Sequence, residues 1–321
     1  MLYRRYLPSV LSGFIISILI FCLLVYFQIG APTETSRWMK EAYAIKSSMA
    51  TSINQPKLVV VAGSNALFGV SCQKIQQEMG IPCVNGAAVA PLGLDYLFYR
   101  ARSWLKPGDT VLLPLEYHLY QSLDKPSNIL IDYVFARDKN YFDSLNITQK
   151  FRFLGGLSWM RLLRGIVAKF VPPKPLNYSY QSDTLNVFGD ETNNKKSDIS
   201  EDNLKELSLA QPMSYVKDQL ELSHGTNQIE IFADWCKSNN VQIIAAWPST
   251  IWFEDYQGSR QKIFFQSISS FYANIDVPIL GNYDSFMYDK SMFFDSGYHL
   301  HDEGTNERTQ QIINLIEPYI M

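Results

Sequence analysis

Three short stretches of this 321-residue chain hold residue types and spacings suited to acyl-transfer chemistry. The first is Val61-Ala62-Gly63-Ser64-Asn65, where an apolar, β-branched run over residues 57–62 ends at a glycine and Ser64 stands where a helix would begin. A hydroxyl so placed is exposed at the carboxyl edge of a parallel sheet, where open α/β folds bind their ligands. The adjoining helix start offers amide donors to an oxyanion. The plainer alternative makes Ser64 a helix N-cap. The second stretch, Val84-Asn85-Gly86-Ala87, closes the next predicted strand, so that a Gly86 N–H could approach a bound acyl group closely or simply serve a turn. The third, residues 294–305, carries Asp295, His299 and His301 just ahead of the last predicted helix. There His299 would take the proton of Ser64 while Asp295 fixes its orientation and tautomer. His299 and His301 alternate on an extended segment and point to opposite faces, which argues against a shared metal ion and reads His301 as a surface residue. His118, shortly after Glu116 at the end of another strand, could line the same cleft.

The elements that must position these residues follow an α/β rhythm. Strands are predicted over residues 57–62, 82–85, 110–116, 241–247 and 277–280, with helices over 70–79, 92–105, 227–239, 260–274 and 302–319 between and after them. Such alternation signals a parallel sheet covered by helices, here a three-layer α/β/α domain over residues 57–321. The rhythm lapses over residues 120–225, read as an insertion with helices over 147–154 and 157–170, a Pro-rich stretch at 172–175 and a polar, mobile loop over 181–202. Residues 34–56 read as a stalk with helical character over residues 37–50.

Residues 6–33 contain no charge, and Arg4 and Arg5 precede them. A bilayer-spanning helix needs about 20 apolar residues, so residues 7–29 are expected to cross the lipid bilayer as a single uncleaved anchor. Basic residues flank the cytoplasmic end of such helices, which puts the N-terminus in the cytoplasm of a bacterial inner membrane and the domain in the periplasm. Net charge is −3, from 28 Lys and Arg against 31 Asp and Glu, with no basic cluster. That balance excludes nucleic acid as a partner, because its binding rests on neutralising phosphates. Of the four cysteines, Cys72 and Cys83 flank a short predicted helix and are either a disulfide or two buried thiols; Cys22 lies in the anchor, and no Cys/His spacing resembles a zinc site.

The order of these blocks is specific. Gly63-Ser64 after the first strand, Asn85-Gly86 after the second and Asp295-x-x-x-His299-Leu300 before the terminal helix together resemble the SGNH/GDSL hydrolase superfamily. The likeness is to its membrane-anchored members linked to cell-surface polysaccharide O-acetylation and teichoic-acid D-alanylation, and Lys106-Pro-Gly-Asp-Thr-Val-Leu-Leu-Pro-Leu-Glu116-Tyr adds to it. The resemblance covers residues 57–120 and 225–321. It implies an SGNH/flavodoxin-like fold, Ser64 as nucleophile, Asp295 and His299 as its partners, and Gly86 as an oxyanion donor. It implies a serine acyltransferase or carboxylic-ester hydrolase acting on a cell-surface glycan with an acyl donor, beside a membrane O-acyltransferase and without metal or organic cofactor. The chain departs from the pattern in two places. The superfamily's Asn donor after the middle strand is missing, the strand ending in Leu-Glu116-Tyr117-His118, so Asn65 or another group must stand in; and Asp-x-x-x-His is one residue longer than the common spacing. The missing Asn favours the competing reading, a non-catalytic envelope assembly or polymer-binding protein on the same fold.

Overall fold

The computed structural model describes residues 3–33, 36–171, 180–215 and 223–320; the side chains of Arg4 and Arg5 and the Pro-rich stretch at 172–175 fall outside the described residues. In chain order the first elements are α1 (Tyr3–Gln28), α2 (Arg37–Ser52), β1 (Leu58–Val60), α3 (Ser64–Gly69), α4 (Cys72–Met79), β2 (Cys83–Asn85), α5 (Gly93–Arg102), β3 (Thr110–Leu113) and α6 (Tyr117–Tyr120). Four helices follow: α7 (Asn128–Arg137), α8 (Lys139–Ser144), α9 (Ile147–Gly155) and α10 (Trp159–Ala168). The remainder is α11 (Glu201–Leu209), α12 (His224–Ser238), β4 (Gln242–Ala246), β5 (Thr250–Ile251), α13 (Ser259–Asn274), β6 (Ile279–Leu280), β7 (Met287–Tyr288), β8 (Phe293–Ser296), β9 (His299–Leu300) and α14 (Asp302–Ile320).

The chain forms two compact units, one of Met1–Lys40 with Lys125–Ser179 and one of Glu41–Asp124 with Tyr180–Met321. In the first, the Gly30 N–H donates to Phe135 O and the buried Arg161 pairs with Asp132 at 2.6 Å. The Arg161 guanidinium also donates to the side chain of Gln28, at the end of α1, at 2.7 Å. Helix α1 contains 23 residues, Tyr6–Gln28, apolar and long enough to cross a membrane.

The second unit is built on a five-stranded sheet in the order β2-β1-β3-β4-β6, with every pairing parallel. Its central strands are buried along their length, which is why they read as unbroken apolar runs rather than as alternating patterns. Helices flank this sheet. Strand β1 lies between β2 and β3, so the chain leaves it first toward one edge of the sheet and later toward the other. Such a reversal opens a crevice beyond the carboxyl ends of the strands, and Ser64 follows β1 there. At the opposite end of these strands, buried Asp109 accepts from the Lys57 and Lys106 amides and pairs with the Lys57 ammonium, which ties β1 to β3. The block around Asp109 that contributes to the resemblance therefore has a structural job.

Residues 37–52 form α2, in keeping with the helical character expected over 37–50, and it buries Met39, Ala42, Tyr43, Lys46 and Ala50. One segment differs from expectation. The polar stretch 181–202, read as a mobile loop, is instead pinned from within. Asp190, 4 % exposed, accepts from the Cys72 and Gln73 amides at the start of α4. The buried Lys46 ammonium donates to Gly189 O and Asn85 O, both at 2.7 Å; desolvation lowers its pKa to about 7 against the opposing pull of Asp190 and Glu191. Part of the polar character of this stretch, carried by the buried Asp190, Glu191 and Asn194, reflects internal hydrogen bonds rather than solvation.

Cys72 and Cys83 form a disulfide that joins the start of α4 to the start of β2 across a sequence separation of 11. Closing so short a loop removes about 3 kcal/mol of chain entropy from the unfolded state. The Cys72→Ser/Cys83→Ser double variant is therefore expected to unfold at a lower urea concentration by about that free energy, with the slope of the transition showing whether the unfolded state has expanded.

Candidate functional site

Ser64 is the first residue of α3, and its own N–H, like those at any helix start, has no acceptor within the helix. The turn carrying it is clamped from below. Glu116, just past β3 and 1 % exposed, receives the Gly63 N–H on one carboxylate oxygen and the Asn65 N–H on the other, each at 3.0 Å. The carboxylate thus brackets the serine through the amides on either side. A Cβ on Gly63 would come within 2.3 Å of this carboxylate and 2.7 Å of the Ala90 backbone, so only glycine allows the approach. Asn65 completes the clamp: its amide group donates to Pro114 O at 2.8 Å, and its carbonyl oxygens accept from both terminal nitrogens of Arg308 at 2.9 Å. Arg308, in α14, is wholly buried, and desolvation lowers its pKa to about 10.

Asp295 and His299 face each other across the antiparallel β8–β9 hairpin, in which Ser296 pairs with His299. The His299 Nδ1 lies 2.6 Å from Asp295 Oδ1. This bond places the ring proton on Nδ1 and leaves Nε2 as an acceptor. The imidazole is 7 % exposed and stacks flat on Phe68 at 4.4 Å between ring centroids, one helical turn beyond Ser64. Asn194 sews the two stretches together, its side-chain amide donating to Phe68 O in α3 at 3.2 Å and to Leu300 O in β9 at 2.9 Å.

One further side chain joins serine to histidine. The Tyr180 hydroxyl lies 3.4 Å from His299 Nε2, and the Ser64 hydroxyl is close enough to act on the phenol, opposing the effect of its burial. Its ring packs edge-on against Phe68 at 5.7 Å and His299 at 6.0 Å. Burial raises the phenol well above its ordinary pKa, so it stays neutral and keeps its proton. Ser64 and His299, 235 positions apart, therefore meet within the reach of one phenol.

The structure corrects several expectations. The Gly86 N–H donates to Val60 O at 2.8 Å and is already spent; the position requires glycine because a Cβ would meet the Trp104 ring at 2.7 Å. Asn85 does not face a ligand: its side chain donates to Ala66 O and Val70 O and so closes the carboxyl end of α3. Asn65 and Glu116 are likewise committed to internal hydrogen bonds and act on Ser64 through the backbone. His118 is exposed and lies edge-on to Tyr298 at 6.2 Å, at the fringe of the same hairpin. His301, read as a surface residue, is fully buried, with its ring between Ser291 O and the Gly304 N–H. Of the two tryptophans after β4, Trp247 is a core residue, whereas Trp252 is exposed. Tyr180, Asn194 and Arg308 carry no motif and went unrecognised in the sequence.

No family model matches the chain. No curated protein matches it either. Among solved structures, a candidate platelet activating factor from Streptococcus pneumoniae aligns over 88 % of this chain and 94 % of its own, with a TM-score of 0.42 and 10 % identity. A likeness on that scale carries no argument about this site, which rests on its own geometry. Among the described residues no group of three or more His, Cys, Asp and Glu side chains is placed to hold a metal ion.

Proposed function

We propose that the chain is a membrane-anchored, extracytoplasmic serine acyltransferase or esterase of the SGNH type that acts on a cell-envelope glycan or other polymer. One observation carries the reading: an imidazole held by a carboxylate on one nitrogen has its other nitrogen 3.4 Å from a phenol that also neighbours the serine hydroxyl. In the proposed cycle Ser64 Oγ attacks the ester carbonyl of an acyl donor, and His299 Nε2 accepts the serine proton. The tetrahedral intermediate collapses, the ester C–O bond breaks, and the imidazolium returns the proton to the departing alcohol. A sugar hydroxyl or water then attacks the acyl-serine with His299 again as base, which regenerates Ser64. The Ser64 N–H and the Tyr180 hydroxyl are the donors proposed for the oxyanion, because the Gly86 amide and the Asn65 side chain are already engaged. In this reading α1 crosses the inner membrane with its N-terminus in the cytoplasm, and the acyl donor comes from a membrane O-acyltransferase.

The occupied amides support a second reading, a non-catalytic binding or assembly protein on the same fold. A fluorophosphonate probe on the full-length protein in detergent separates the two. Selective labelling that disappears in Ser64→Ala supports the enzyme; a wild-type protein that stays unlabelled under conditions where a known serine esterase reacts fully supports the platform.

A further inference from the structure

Helices α9 and α10, in the same unit as α1, expose much of their apolar surface. Phe151 is 67 % exposed, Trp159 70 % and Phe170 73 %, and Ile147, Met160, Leu163 and Val167 are exposed with them. On α10 this face is opposite Arg161, Leu162 and Gly165, which are buried. The helix is amphipathic, yet the face it turns outward is the greasy one. It lies alongside α1: Trp159 packs edge-on against Phe21 at 6.5 Å, and Phe170, just beyond α10, packs against Phe27 at 6.2 Å. Lys169 donates to Ile29 O at 3.1 Å, at the end of α1.

These contacts fix a depth. Phe21 lies seven residues before Gln28, the last residue of α1, and at 1.5 Å per residue that is about 10 Å along the helix axis. The start of α10 therefore sits about 10 Å below the end of α1, and its far end rises to the level of that end. Amphipathic helices at a membrane surface bury their apolar face about 5–10 Å into the boundary between headgroups and acyl chains. The charge agrees: apart from Arg161, which is buried against Asp132, residues 147–171 contain Lys150, Arg152, Arg164 and Lys169 and no Asp or Glu. A basic helix with Trp and Phe on its apolar face fits anionic phospholipid.

We infer that the α9–α10 hairpin dips into the leaflet in which α1 ends, so that the chain holds the bilayer by a second, interfacial element as well as by its anchor. The inference rests on the proposal that α1 crosses a bilayer. The occupant of the exposed face is lipid, because the face is continuous with the apolar surface of α1 and lies within the depth that α1 spans.

The test uses the full-length protein with Cys22→Ser and Cys236→Ser, the Cys72–Cys83 disulfide kept, reconstituted into phosphatidylcholine/phosphatidylglycerol nanodiscs. Spin labels are placed singly at Leu163→Cys in α10, Leu19→Cys in α1 and Leu204→Cys in α11, and their collisions with oxygen and with a water-soluble nickel chelate are compared. The expected result is a label at 163 that favours oxygen over nickel as the label at 19 does, while the label at 204 favours nickel. A nickel-accessible 163 beside an oxygen-accessible 19 would overturn the inference and leave the anchor standing. A label at 163 shielded from both reagents would overturn it in favour of a protein face, such as a second copy. A nickel-accessible 19 would strike the anchoring proposal itself, and the inference with it.

Discussion

Asp295→Asn is expected to lower ester turnover by about 10⁴-fold at neutral pH while leaving the urea midpoint of the domain close to that of the parent. The argument is one of tautomer. Asp295 Oδ1 accepts from His299 Nδ1 at 2.6 Å, so the ring proton is held on that side and Nε2 is free to accept one. An asparagine at 295 can turn its amide nitrogen toward the ring and donate instead. The ring then carries its proton on Nε2 and cannot take one from Ser64. Replacements of this kind in serine hydrolases leave the geometry intact and cost about 10⁴ in kcat. Stability should hardly change, because the ring is kept in place by its stack on Phe68 at 4.4 Å and by the sewn α3–β9 junction, neither of which needs the carboxylate charge. His299→Ala should be at least as inactive as Asp295→Asn, and adding Asp295→Asn to it should lose little more, since residues acting as one unit are not additive. Turnover within about 10-fold of the parent in Asp295→Asn would remove Asp295 from the mechanism. Loss of folding in that variant would show that the pair serves structure.

How much of this could be read from the sequence depends on what each residue's partner is. The strand runs were legible because a buried parallel strand must be apolar throughout, and Leu58–Val60 is. The positions of Ser64, Asp295 and His299 were legible because a residue at a strand end and a pair four apart in a hairpin are local facts. Roles that depend on a distant backbone partner were not. Gly86 could have been an oxyanion donor or a site of close approach, and only the Val60 carbonyl and the Trp104 ring decide for the second. Glu116 follows a strand in a place where the resemblance calls for an asparagine, and nothing local reveals that it chelates the amides on either side of Ser64. The stretch 181–202 misled for a related reason. Composition does not distinguish a polar side chain in water from one such as Asp190 or Asn194 that satisfies buried backbone groups. Tyr180 lies at the edge of that stretch, more than a hundred residues from both of its partners, and only folding brings it to them.

Tyr180→Phe therefore tests the part of the site that sequence could not show, and the sign of its effect carries the information. The substitution removes one oxygen and keeps the ring, so the edge-on contacts with Phe68 and His299 survive. Two roles are open to the hydroxyl. If it only occupies the gap between Ser64 and His299, its loss lets the two side chains meet directly, and turnover rises. If it donates to the oxyanion, its loss removes a preorganised dipole just where charge develops, and kcat falls by about 10²–10³-fold with little change in KM. The second outcome is expected. The Gly86 amide and the Asn65 side chain are consumed elsewhere, and the Gly63 and Asn65 amides are held by Glu116, which leaves the Ser64 N–H short of a companion. Burial also keeps the phenol protonated, so it remains able to donate when the oxyanion forms. Steady-state kinetics on an activated ester with wild type and Tyr180→Phe side by side decides the matter: a fall confined to kcat supports the donor role, and a rise makes Tyr180 a plug that substrate must displace.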